Sequence, residues 1–106
     1  MQKEVIFSEA KGRLTAHIQK DVDHHLAKAM REAIDKKLFE SRPSLLILDF
    51  SQVGFMDSSG IGLIIGRVEK ASVLNIQVAI SGLSSTLMKL VRLSGIERLR
   101  NLSIVK

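Results

Sequence analysis

Asp57-Ser58-Ser59-Gly60 sets two hydroxyls beside a carboxylate just before an apolar run in which Ile61, Ile64, Ile65 and Val68 recur at helical spacing. The spacing predicts a helix that opens at the hydroxyls. The first N–H groups of a helix lack internal partners and favour negative charge nearby, so a phosphoryl group on a serine would be well placed there. The same residue types have a plainer use as N-caps, and both roles stay open on the sequence. Gly60, Gly62 and Gly66 fall inside this predicted helix, where each costs about 0.8–1 kcal/mol relative to alanine. Gly62 and Gly66 share one stripe, which lets the sheet or a partner protein come close to the helix backbone.

Other chemistries fit this stretch less well. The glycines read G-x-G-x-x-x-G, one residue off the dinucleotide fingerprint, and no acidic residue stands near position 80 to hold a ribose. No P-loop lysine follows them. Met56 occupies the place where a nucleophile elbow around Ser58 needs its first glycine. His24 and His25 are adjacent and diverge on a helix, so they do not make the i, i+4 pair of a helical zinc site. Neither a metal nor a cofactor is expected.

The elements that position these residues follow from periodicity. Val5–Ser8 and Arg13–Gln19 read as strands joined by the turn Glu9–Gly12, with Leu14, Ala16 and Ile18 on one face and Arg13, Thr15 and His17 on the other. Leu26, Met30, Ala33, Ile34 and Leu38 share one face of a helix capped by Asp23, while Lys28, Arg31, Glu32 and Asp35 take its polar face. Pro43 ends that helix, and 44–50, with its unbroken run Leu45–Leu48, reads as a strand buried on both faces. The Ser58 helix runs to about Ser72. A fourth strand opens at Asn75, a third helix capped by Ser84 or Ser85 ends at Ser94-Gly95, and Leu102–Val105 supplies a short last strand. Strands alternating with helices after a hairpin predict an α/β fold: one domain over residues 1–106, a mixed sheet of four to five strands with helices packed on it. Loops at the carboxyl ends of such strands are where sites form, and both Asp23 and Asp57–Ser59 lie in such loops.

Composition narrows the classes. A chain of 106 residues, 45% hydrophobic, suits one core, and the absence of cysteine excludes disulfide and thiol chemistry. No secretory signal or membrane span is visible, and a soluble cytoplasmic protein is expected. The net charge is +5, and residues 58–106 account for it with seven basic against two acidic side chains, among them Lys89, Arg92, Arg98 and Arg100. Four Phe with no Tyr or Trp leave little for base stacking, so direct nucleic-acid binding is not expected.

Met56-Asp57-Ser58-Ser59-Gly60, the following Ile61–Arg67 and the upstream Asp23-His24-His25 together resemble the bacterial anti-sigma factor antagonists of the STAS domain class, especially those of sporulation. The resemblance spans nearly the whole chain. It implies a binding switch rather than an enzyme: the unphosphorylated form binds an anti-sigma factor that is also a serine kinase and so frees the sigma factor, phosphorylation of Ser58 ends the binding, and a serine phosphatase restores it. The partner-binding surface it implies comprises Asp23, His24, Met56, Asp57, Ser58, Ser59, Gly60 and Gly62. In that reading Gly60 and Gly62 permit close approach, Ser59 is a cap or a neighbouring contact, and Asp57 positions the serine or the kinase's nucleotide. Where the family has Gly-Glu before the loop aspartate, this chain has Lys20-Asp21, which removes a conformationally free residue. A scaffold or sensor module that makes no covalent use of Ser58 is the alternative.

Overall fold

Lys11 and Gly12 both adopt positive φ, 53° and 78°, the backbone that a two-residue hairpin turn needs to match strand twist. In the computed structural model, which describes residues 3–105, this turn joins β1 (Val5–Ala10) to β2 (Arg13–Ile18) with Val5 opposite Ile18 and Ala10 opposite Arg13. Then come α1 (His24–Ser41), β3 (Leu45–Asp49), α2 (Ser58–Val73), β4 (Gln77–Ser81), α3 (Ser85–Ser94), a 3-10 turn at Ile96–Arg98, and β5 (Leu102–Ile104). The strand order is β1-β2-β3-β4-β5, antiparallel in the hairpin and parallel from β2 onward. Helix ends follow local chemistry: Arg42 turns left-handed ahead of Pro43, Ser84 caps α3, and Gly95 closes it at φ 77°.

Crossovers between parallel strands are right-handed, and with each new strand added on the same side this places the helices on one face of the sheet. That corrects the expectation for β3. Its Leu46 and Leu48 are fully buried, whereas Leu45, Ile47 and Asp49 on the opposite face are only half-buried. An unbroken apolar run implies two covered faces only when helices alternate sides, and here they do not. The core lies between sheet and helices, from Leu14, Ile18, Leu46, Leu48, Phe50 and Ile80 to Met30, Ile34 and Leu38 of α1 and Ile64 and Val68 of α2. The fourth strand starts two residues later than predicted, since Asn75 takes a left-handed turn.

One polar contact is embedded between α1 and α2. Arg67 is 2% exposed, with Nε 2.7 Å from Asp35 Oδ1. Its N–H does not point along that line, so the contact is an ion pair rather than an aligned hydrogen bond. Burial pulls the Arg67 pKa down, and the Asp35 charge works against that pull. Asp35, placed by periodicity on the solvent side of α1, thus turns toward α2.

Candidate partner-binding site

The loops after β2 and β3 are laced together by backbone. Val22 pairs with Met56 as an isolated parallel bridge: the Val22 N–H donates to the Phe55 carbonyl at 3.1 Å, and the Asp57 N–H donates to the Val22 carbonyl at 3.2 Å. The Asp21 carboxylate completes the clasp, accepting the Gly54 and Phe55 N–H groups at 2.9 and 3.1 Å. Lys20 needs no glycine-like backbone, for Lys11, Arg42 and Asn75 are the only non-glycine residues with positive φ among those described.

This clasp sets two helix N-termini side by side, each capped by an aspartate. Asp23 accepts the Leu26 N–H at 2.9 Å, and Asp57 accepts the Ser59 N–H at 2.7 Å. The cap of α2 is therefore Asp57, and Ser59 is the residue being capped. Ser58 is the first residue of α2 and is exposed; Ser59 is half-buried on the side facing α1. Each carboxylate accepts a backbone N–H group through Oδ1, and of the two serine hydroxyls at the α2 terminus that of Ser58 belongs to the exposed residue.

The glycines divide by surroundings. A Cβ at Gly60 would lie 2.7–2.9 Å from Sδ, Cβ and Cγ of Met56, so glycine there admits Met56 to the interior, where it is 3% exposed. Met56 and Gly60 thus shape the site from beneath and add nothing to its surface. Around Gly62 and Gly66 a Cβ would meet no atom within 4 Å, so no packing inside the domain requires them. His24 and His25 are exposed with rings edge-to-face, centroids 6.0 Å apart, and His24 faces Ser59 and Gly62 across a groove. Among the described residues no group of three or more His, Cys, Asp or Glu is arranged to hold a metal. Lys89, Arg92, Arg98 and Arg100 are exposed on α3 and the segment after it, away from these two loops in the chain.

Three features escaped the reading from sequence. Phe55 is 56% exposed at the clasp, an aromatic of the kind that anchors interfaces, and its place between Gly54 and Met56 was the available signal. Lys28 and Arg31 line the same groove as His24. The third is a chain of contacts on the helix-free face of the sheet: Ser8 Oγ is 3.0 Å from His17 Nε2, and His17 Nδ1 is 2.7 Å from Asp49 Oδ2. The order is that of a hydrolase triad, but backbone N–H groups lie in the plane of a sheet and gather no oxyanion site above Ser8. The contacts clamp three strands. Burial pushes the Asp49 carboxyl up, but the His17 hydrogen bond together with those from Ser51 outweighs it and holds the pKa below the ordinary value.

The STAS domain model matches residues 5–103. The chain belongs to the STAS domain family. Among curated relatives, an anti-sigma F factor antagonist of Lysinibacillus sphaericus is 29% identical over 76 residues, which cover 72% of this chain and 65% of that one. An anti-sigma-B factor antagonist of Listeria monocytogenes is 26% identical over 93 residues, covering 83% of this chain and 80% of its own length. The solved structure of the Bacillus cell fate determinant SpoIIAA in its phosphorylated form superposes with a TM-score of 0.71 at 22% identity, covering 96% of this chain and 91% of that one. At that identity the likeness speaks for the fold, and the STAS fold is what the mixed five-stranded sheet and its helices form.

Proposed function

We propose that this STAS domain is an anti-sigma factor antagonist: its unphosphorylated form binds an anti-sigma factor that is also a serine kinase and releases a sigma factor, and phosphorylation of Ser58 switches the binding off. The observation that carries the reading is the exposed Ser58 hydroxyl at the first position of α2, beside a second helix terminus to which its loop is clasped. The names of the curated relatives support the antagonist role, and those relatives are regulators rather than enzymes.

The physics suits a switch. Phosphorylation adds roughly −1.5 to −2 charges at neutral pH. In the free protein the α2 N-terminus favours that charge, while a partner packed against the loop meets new bulk and repulsion from Asp57. Asp23, His24, Asp57, Ser58, Ser59 and Gly62 form the contact surface in this reading, with Phe55 added to it. Intact-mass measurement after incubation with ATP and each anti-sigma kinase of its own cell tests it: one phosphate on wild type and none on Ser58→Ala is expected. No phosphate from any kinase moves the reading to a scaffold module; a phosphate retained by Ser58→Ala overturns the site.

A further inference from the structure

Beside the clasp, α1 and α2 diverge into a groove of about 440 Å³, walled by His24, Ala27, Lys28 and Arg31 on one side and by Ser59, Gly62 and Leu63 on the other. Lys28 and Arg31 are exposed, and neither forms an ion pair among the described residues. Glu32 is exposed on the same helix and makes no ion pair among the described residues, but it does not line the groove. Asp35 is shared by Arg67 and Lys70, Asp23 and Asp57 cap their helices, and Arg31 lies close enough to Arg67 to oppose its protonation. The lining itself holds two cations and no carboxylate. Its floor is also bare, because the helix carries Gly62 where no packing inside the domain asks for one.

We infer that this groove is a docking surface for an acidic segment of the partner protein, with Asp or Glu side chains reaching Lys28 and Arg31 and the segment's backbone lying against Gly62. Charge complementarity selects the occupant: arginine holds carboxylates in a two-pronged geometry, and two unpaired cations over an exposed glycine suit a short acidic chain. A nucleic-acid strand is the poorer fit, since no aromatic side chain lines the groove for stacking beyond His24. The inference takes its partner from the function proposed above and adds that partner's chemistry and seat.

The test is titration of the full-length protein with the kinase found by the mass assay, at low salt and at about 0.5 M salt, where exposed charges are screened. Wild type is expected to bind at low salt and to weaken strongly at high salt. The double reversal Lys28→Glu/Arg31→Glu should lose about a hundredfold in affinity, and Lys89→Glu/Arg92→Glu on α3 about twofold or less. Gly62→Leu, which changes no charge and adds helix propensity, should lose about tenfold by filling the floor. Unchanged binding by the α1 reversal, or equal losses from the two reversals, overturns the groove. Binding that ignores phosphorylation of Ser58 yet is lost in the α1 reversal sinks the switch and leaves the groove standing. If no kinase binds, a short poly-glutamate peptide replaces it, read by amide shifts: shifts confined to His24, Lys28, Arg31 and Gly62 that vanish in high salt support the groove. Shifts scattered over α3, no shifts at all, or stronger shifts at these amides with an oligonucleotide of equal charge overturn it.

Discussion

Gly60 and Gly62 stand two residues apart on one helix and meet opposite surroundings, which makes them a controlled pair. Gly60→Ala forces a methyl against the Cβ of Met56, a fixed atom that cannot swing aside. Overpacking of this kind costs about 1–3 kcal/mol. Gly62→Ala adds helix propensity into open space and should stabilise by about 0.5–1 kcal/mol. Urea melts of the two variants check this, and equal effects would mean that Met56 does not pack on Gly60. Asp49 supplies a prediction in pH. Its folded pKa lies below the ordinary value of 3.8 through its bonds to His17 and Ser51, so the stability it contributes is full above that value and is lost as pH falls through the lower folded one. Urea midpoints measured downward from about pH 5 should fall less steeply in Asp49→Asn than in wild type.

Between elements, the contact of α1 with α2 turns on the buried Arg67. Asp35→Ala leaves its guanidinium without a counter-charge, and removing one partner of a buried pair costs about 3–5 kcal/mol; the lower end applies because Asp35 keeps some solvent contact. Asp35→Leu/Arg67→Met, which removes both charges, should recover most of the loss in the same denaturation assay. The loop clasp fails separately. Asp21→Ala frees the Gly54 and Phe55 N–H groups, at a cost of about 1–2 kcal/mol. Hydrogen exchange should quicken at those two amides while the α2 core amides at Ile64 and Val68 keep their protection. Uniform loss of protection would mean that the clasp is part of the global fold rather than a local device.

Over the whole molecule, a sheet wound in one direction keeps its helices on one side and its strand-end loops at one edge, so the proposed site sits on a scaffold that need not move. A charge added at Ser58 should then leave the fold alone. Ser58→Asp is expected to keep thermal stability or gain about 0.3–1 kcal/mol from the helix N-terminus, while weakening partner binding. Calorimetry on the free variant beside a binding titration separates the two. A variant that loses both would point to a refolding mechanism instead.

Most elements were legible because their signals are local. The hairpin, the three helices, the Asp23 cap and the Gly95 stop each rest on a few adjacent residues whose backbone preferences or periodicity leave little choice. The STAS resemblance likewise lay in contiguous residues from Met56 to Arg67, and the match over 5–103 agrees with it. What tertiary structure alone decided involves partners distant in sequence. Whether Leu45 and Ile47 are covered depends on which side the crossovers take, and whether Asp35 faces solvent depends on Arg67 more than thirty residues later. The division of the glycines into one that admits Met56 and two that face open space depends on side chains no periodicity describes. The joining of Asp21 and Val22 to 54–57 came only with the folded chain, because a carboxylate and a backbone bridge can close two loops only after the sheet has brought their ends together.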